Sequence, residues 1–258
     1  MLDDGLYNRI PVPDVLLGQH IVPLKSGTLA LSSGPVLAAA DSIDIRINST
    51  GPGVNPQDNV DPILVAARAL IRVQKLGTEV PGELLALTCR QFHSGWPGAD
   101  FRPYADMNID LKTHDPLVRE KAIGAIKRIV EAECAASGIH DEPVVEHSIR
   151  APLTSCAPEL VGKIRATFEA HLGAELVEQR PMSSCEDFSW LADARNVPYV
   201  YWMLGGTDSV VWDKAQKSQT PDAVLPNNHS PHYVPAIQPS MRVGTDAMAL
   251  AVLTFLGL

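Results

Sequence analysis

Hydrophobic residues alternate with polar ones in some stretches of this chain and recur at helical spacing in others, and each pattern predicts an element. Ile43, Ile45 and Ile47 alternate with Asp44, Arg46 and Asn48, the period of a half-buried strand. The breaker run STGPGVNPQ follows, and then Ile63, Ala66, Ala67, Leu70 and Ile71 fall on one helical face, with Asp58 or Asn59 as the cap and an end near Gly77. Strands are expected from Glu83 to Phe92 and from Tyr104 to Thr113, where Met107, Ile109 and Leu111 alternate with Asn108 and Asp110. Asp115-Pro116 starts a second helix, because the carboxylate accepts from free N–H groups and proline suits the first helical position. That helix carries Val118, Ala122, Ala125, Ile126, Ile129 and Val130 on one face and stops at Gly138, before a last strand at 143–148. From Asp41 to Ser148 the order is therefore β-α-β-β-α-β, a split βαβ or ferredoxin-like unit.

The flanking segments predict a different unit. VLLGQHIV (Val15 to Val22) reads as a buried strand entering a loop at Gly18, and Gly27 to Leu31 as a second strand. Leu160, Ile164, Phe168 and Leu172 form a helical stripe ended by Gly173; VPYVYWMLGG is a buried strand; Asp246 to Leu256 is a closing helix. The expected fold class is α/β, with 1–40 and 149–258 forming one domain that the 41–148 α+β domain interrupts. An exposed edge strand or helix of the inserted domain is a candidate dimerisation surface.

Charge narrows the partners. Lys and Arg number 21 against 30 Asp and Glu, a net charge of −9 over 258 residues, which disfavours nucleic acid because phosphate recognition needs clustered cations. No stretch approaches the roughly 18 uninterrupted apolar residues of a membrane span, and MLDDGLYNRI lacks the basic and apolar regions of a leader, so a cytoplasmic address is expected. Cys89, Cys134, Cys156 and Cys185 match neither a CxxC knuckle nor a small disulfide scaffold and read as reduced, inert thiols.

Four places could carry chemistry. His20 follows the strand residues VLLGQ, in the kind of position where α/β sites collect, although a lone histidine is more often a hydrogen-bonded core residue. His229 lies in the polar loop PNNHSPHY, where exposure alone would explain it. Glu186 and Asp187 precede Phe188 at the start of a short helix, a place that favours acidic residues in any protein. Gly205-Gly206-Thr207-Asp208 is no phosphate loop, since neither GxxxxGK[ST] nor GxGxxG occurs, and no GxSxG elbow supports a serine hydrolase.

Five segments in order nevertheless resemble one family: MLDDGL at the start, Leu17-Gly18-Gln19-His20, VDPILVAA (Val60 to Ala67), CEDFS (Cys185 to Ser189) and NHSPHYVPAIQPSMRVGTDAM (Asn228 to Met248). The family is that of the zinc-dependent amidohydrolases and carboxypeptidases, which includes aminoacylase, hippurate hydrolase, carboxypeptidase G and indoleacetyl-amino acid hydrolases. The resemblance covers essentially the whole chain. It implies a metallopeptidase-type α/β domain, incomplete here, interrupted by a smaller lid through which members dimerise. It also implies hydrolysis of N-acyl amino acids or small peptides by metal-activated water, with zinc or manganese as cofactor and a glutamate as base. His20 matches the ligand of the family's LGxH segment and His229 that of its HSPxF-like segment, and Glu186 and Asp187 are the candidate catalytic carboxylates.

The resemblance also marks departures. The family's HxCGHDxH ligands and its Glu-Glu pair precede the DGL segment, and this chain starts almost at DGL. The lid turn that carries a histidine in the family reads Thr50-Gly51-Pro52-Gly53-Val54. The substrate-binding asparagine of an Asn-x-x-Pro segment is replaced by Asp100, and the arginine expected at the end of the next strand by Lys112, which keeps the charge and loses the bidentate fork. Three readings follow: an amidohydrolase that is part of a longer product or completed by another polypeptide, a catalytically inactive descendant that dimerises as a binding or regulatory protein, and a changed activity on the old scaffold.

Overall fold

The computed structural model describes residues 1–49, 60–80, 85–95, 104–218, 220 and 224–257. Its elements run α1 (Leu6–Arg9), β1 (Leu16–Lys25), β2 (Leu29–Leu31), β3 (Gly34–Leu37), β4 (Ala39–Asn48), α2 (Pro62–Glu79), β5 (Leu85–Ser94), β6 (Tyr104–Thr113), α3 (Pro116–Ala136) and β7 (Val144–Ala151). They continue through β8 (Thr154–Cys156), α4 (Pro158–His171), β9 (Leu176–Glu178), α5 (Phe188–Asp193), β10 (Tyr199–Thr207), α6 (Ser209–Gln216) and a last helix, α7 (Ser240–Leu256). The α/β class expected from the sequence is the class found. The chain divides into two units, Met1–Val36 with Thr154–Met182 and Glu186–Leu258, and Leu37–Leu153 with Ser183–Cys185. No helix among the described residues is long and apolar enough to cross a membrane.

In the second unit, β4, β5, β6 and β7 form an antiparallel sheet in the order β5-β6-β4-β7. Register pairs Ile43 with Ile109 and Ile45 with Met107, so one face of the alternating strands is apolar from Ile43 to Ile47, with the buried Asp41 at its end. That face packs with Val65, Ala69 and Val73 of α2 and with Ile126 and Val130 of α3, all buried. Asp115 caps α3 by accepting from the N–H groups of Leu117 and Val118, and Gly138 ends the turn beyond it at φ 83°.

Two expectations for α2 need correction. Its cap is Asp61, which accepts from the Ile63 N–H, rather than Asp58 or Asn59, because Pro62 takes the first helical position and fixes the start. That start also sets the phase: the buried stripe is Pro62, Val65, Ala66, Ala69 and Val73, leaving Ile71 61% exposed. The strands β5 and β7 also run two or three residues past the sequence-based ends, since pairing with β6 and β4 continues there.

A buried carboxylate anchors the start of β4. Asp41 is fully buried and accepts two bonds from the Arg119 guanidinium, at 2.7 and 2.9 Å, with His147 Nδ1 at 3.4 Å and Arg150 Nε at 3.7 Å. A buried charge persists only when paired, and the planar fork of arginine suits both carboxylate oxygens.

In the first unit β10 is central. It runs parallel to β1 and antiparallel to β2, which continues in parallel to β9, giving the order β1-β10-β2-β9. All nine residues of β10 are buried, the continuous apolar run of a strand covered on both faces. Trp202 packs edge-on against Phe168 of α4 and donates its indole N–H to Gln19 of β1 at 2.9 Å. Leu160, Ile164 and Phe168 are buried as the helical stripe predicted, but α7 begins at Ser240, six residues before the expected Asp246. The β3–β8 pair and β9 are too short for the pattern to announce.

Buried thiols give this fold an alkaline limit. Burial raises Cys156 to about 11, and burial with the charges of Glu133 and Glu131 raises Cys134 to about 11. An unfolded thiol ionises near 9, so this contribution is intact below pH 9 and lost as pH climbs through 11. The urea midpoint is expected to fall across that window, and the Cys134→Ala/Cys156→Ala protein to lose less of its own midpoint over the same range. Arg119→Ala is expected to lose about 3 kcal/mol in the same urea titrations, at the low end for an orphaned buried charge because His147 and Arg150 remain beside Asp41. A change below about 0.5 kcal/mol would show that the pair is dispensable.

Candidate functional site

His20 lies in the middle of β1, in a strand that passes straight through Gly18 rather than into a loop there. The reason is packing. A Cβ on Gly18 would stand 2.5 Å from the Tyr201 ring and 3.0 Å from that of Phe188, so glycine lets two aromatic rings press onto the strand without ending it. Parallel pairing sets His20 opposite Met203 of β10.

The His20 ring is oriented by its own backbone. Nδ1 lies 2.7 Å from the Ile21 carbonyl oxygen, and because a carbonyl only accepts, Nδ1 carries the proton. Nε2 then points to Glu186 Oε1 at 3.4 Å. A neutral Nε2 is an acceptor, as is the carboxylate, so the arrangement calls for a cation or a proton between them. Both side chains are about 30% exposed, at 30% and 29%. The His229 ring stacks beside that of His20, with centroids 6.5 Å apart.

The loop that brings His229 is tied down at several points. The Asn227 side chain accepts from the His229 N–H at 2.9 Å, Tyr233 donates its hydroxyl to the Val22 carbonyl at 3.0 Å, and the Ala236 N–H bonds the Gly206 carbonyl at 2.7 Å. An exposed histidine thus stands on a loop fixed to both β1 and β10. The roles of Tyr233 and Asn227 are not legible from the sequence, where the Asn-x-His and Tyr spacing in NNHSPHY is the only signal they leave.

Glu186 precedes α5 and is turned toward His20 rather than capping the helix. Asp187 occupies the cap position, but its side chain makes no cap bond and it lines a separate depression with Leu2, Phe188 and Trp190. Neither carboxylate makes a cap bond to α5, and Glu186 meets His20 instead. Burial, reinforced by the charges of Glu186 and Asp187, pushes the Tyr201 phenol far above its ordinary range, so Tyr201 stays protonated beside these carboxylates. Lys112 is a half-buried residue of β6 in the second unit, paired in register with Ala40 and Ala86. Asp100 and the turn Thr50 to Val54 lie outside the described residues.

Two imidazoles and a carboxylate suit zinc or manganese in kind. A ligand histidine also ordinarily gives its second ring N–H to a carbonyl or carboxylate, as His20 does to Ile21. The count falls short: among the described residues no group of three or more His, Cys, Asp or Glu side chains is placed to hold a metal ion.

Comparison with known proteins gives the setting. No known family profile matches the chain. It is 25% identical over 260 aligned positions to thermostable carboxypeptidase 2 of Saccharolobus solfataricus, covering 99% of this chain and 61% of that protein. It is 29% identical over 142 positions to the N-acyl-L-amino acid amidohydrolase of Geobacillus stearothermophilus, covering 54% and 38%. The fold matches that of a solved protein from methicillin-resistant Staphylococcus aureus at TM-score 0.79 and 18% identity, covering 99% of this chain and 62% of the other. It also matches the Bacillus subtilis YxeP protein, a dinuclear metal-binding peptidase of the M20 family, at TM-score 0.71 and 18% identity, covering 100% and 60%. The chain is a relative of the amidohydrolases, deacetylases and carboxypeptidases whose segment order its sequence resembles. It spans about three-fifths of the length of the carboxypeptidases it matches, 61%.

Because Gly18 lies under two rings, Gly18→Val should cost about 1–3 kcal/mol by overpacking. Urea unfolding followed by tryptophan emission would report it, since Trp202 packs on the same strand pair. A neutral outcome would show that the rings give way freely.

Proposed function

We propose that this chain carries part of the centre of a metal-dependent amidohydrolase acting on N-acyl amino acids or small peptides. The observation that carries this reading is the tethered His20, whose free Nε2 meets the Glu186 carboxylate with the His229 ring alongside. His20 and His229 are the proposed ligands of a zinc or manganese ion. A bound ion of this kind polarises the scissile carbonyl and activates a water molecule.

The chain's own residues supply the rest. Glu186, next to His20 and partly open to solvent, is placed to take a proton from an attacking water and return it to the leaving amine. Phe188 and Tyr201 wall that side of the strand with apolar surface, and the protonated Tyr201 hydroxyl is a hydrogen-bond donor rather than a base. Lys112 and Asp100 are proposed substrate contacts on the resemblance alone, with Lys112 meeting a substrate carboxylate as a point charge. The substrate class is supported by the amidohydrolase and deacetylase activities for which the relatives are named. Four free cysteines suit a reducing compartment such as the cytoplasm.

A second reading is favoured by the donor count among the described residues: a non-catalytic descendant whose 41–148 unit serves self-association. One experiment separates the two. Protein purified without chelator is expected to hold about one zinc or manganese per chain by elemental mass spectrometry, lost in His20→Ala/His229→Ala. Glu186→Gln should retain the fold by circular dichroism and weaken metal retention or N-acetyl amino acid hydrolysis about 10–100-fold. Metal at background in the wild-type chain, together with no hydrolysis, would leave the non-catalytic reading standing.

A further inference from the structure

Two features of the sequence have no part in the proposed chemistry: the glycine pair near the end of β10, Gly205-Gly206, and the tyrosine of NNHSPHY, Tyr233. The structure brings them together. A Cβ on Gly206 would stand 2.4 Å from the Tyr233 hydroxyl and 2.7 Å from the Ile21 side chain, so any larger residue there would displace the phenol. That hydroxyl donates to the Val22 carbonyl of β1 at 3.0 Å. Burial raises the phenol above its ordinary range, which keeps the donated proton in place. Backbone directions alternate along β1: the Leu16 N–H bonds the Pro198 carbonyl, so even-numbered residues, Val22 among them, turn their backbone groups to β10. Ile21 turns its own to an edge that carries no strand among the described residues. Side chains alternate as well, and opposite the His20 face Gln19 and Ile21 line an apolar groove with Leu204, Ala236 and residues of α7. The 227–236 loop therefore passes from the His20 face, where His229 stands, to the groove face, where Ala236 lies, and Tyr233 holds it at the crossing.

We propose that Tyr233 is a positioning residue, a latch whose hydroxyl bond to Val22 sets the His229 ring against His20. The path between them is short. The Tyr233 N–H bonds the Ser230 carbonyl at 3.0 Å, the Ser230 N–H bonds the Asn227 carbonyl at 2.8 Å, and the His229 N–H bonds the Asn227 side chain at 2.9 Å, so 227–233 is wound into one piece. Consecutive peptides of β1 then hold both imidazoles: the Ile21 carbonyl orients the His20 ring directly, and the Val22 carbonyl holds the His229 loop through the phenol. The bond from the Ala236 N–H to the Gly206 carbonyl ties the far end of the loop to β10, so losing the phenol bond releases the His229 end from β1 while the loop stays attached. Two donors held at a fixed separation give up less freedom on taking a common ion than two that must first be ordered.

The latch rests on the reading of His20 and His229 as one centre, and the test keeps the two apart. Tyr233→Phe removes only the hydroxyl and is expected to keep the fold by circular dichroism. In carbon–proton NMR spectra of the full chain, the His229 ring peak, assigned with His229→Ala, is expected to shift toward that of its exposed neighbour His232. Zinc titrated into the same protein is expected to bind about tenfold more weakly than to the wild type. Arg119→Ala, which removes a buried pair in the second unit, is expected to leave the His229 peak in place, so that a shift in Tyr233→Phe is not a general loosening of the fold. An unmoved His229 peak in Tyr233→Phe, or a zinc affinity equal to that of a zinc-binding wild type, overturns the proposal. A wild-type chain that takes up no zinc refutes the metal reading alone, and the His229 peak still decides the latch.

Discussion

The parallel pairing of β1 with β10 is the constraint on which the first unit depends. β10 is buried over its whole length, so its backbone groups must be satisfied within the protein; β1 does this along one side, while β2 at Met203 and Leu204 and bonds from Ala157, Ala236 and Ser240 serve the other. Register then fixes everything that the site needs: His20 opposite Met203, Gly18 beneath the Tyr201 ring, and Gln19 where its side-chain oxygen takes the Trp202 proton. A slip of one residue would turn His20 to the groove and Gln19 toward Glu186, exchanging the polar centre for an apolar face. The two ties from the strand pair to the 227–236 loop hold His229 to the same frame.

The local electrostatics follow from that frame. The Ile21 carbonyl selects the His20 tautomer, and the selected tautomer presents a lone pair to a carboxylate. Such a pair is unfavourable unless a positive charge intervenes, and the neighbouring phenol of Tyr201, driven upward by burial and by the same carboxylates, supplies none. The centre is therefore electron-rich and short of a cation, which is the condition a divalent metal or a proton on His20 would relieve.

Much of this was legible in the sequence, and the failures have physical causes. Alternating isoleucines in β4 and the Asp-Pro start of α3 are local signals that tertiary packing reinforces, so their bounds hold. The phase of α2 is not legible in its pattern, because its apolar residues are spread round the helix and only the position of Pro62 decides which of them face the sheet. Gly18 suggests a breaker because glycine interrupts a strand in most settings; here the partner is an aromatic ring on β10, nearly two hundred residues away, and no local pattern records it. His20 and His229 were visible only through the resemblance, since nothing about either alone distinguishes it from a core or a surface histidine. The engagement of Glu186 with His20, and the absence of a capping bond from Asp187, depend on how the chain enters α5, which the sequence does not specify.

One strand thus joins the two surfaces that matter most in the first unit. Side chains alternate along β1, so His20 and Gly18 face the polar centre while Gln19 and Ile21 face the groove, and the backbone between them forms the edge. Burying that edge would also withdraw the Ile21 carbonyl from solvent, and a carbonyl with two lone pairs can accept from a neighbouring strand and from His20 at once. A strand paired there would hold in place the tether that orients the imidazole. The link runs through a single peptide group, so a strand paired at this edge would act on the centre without touching any of its side chains.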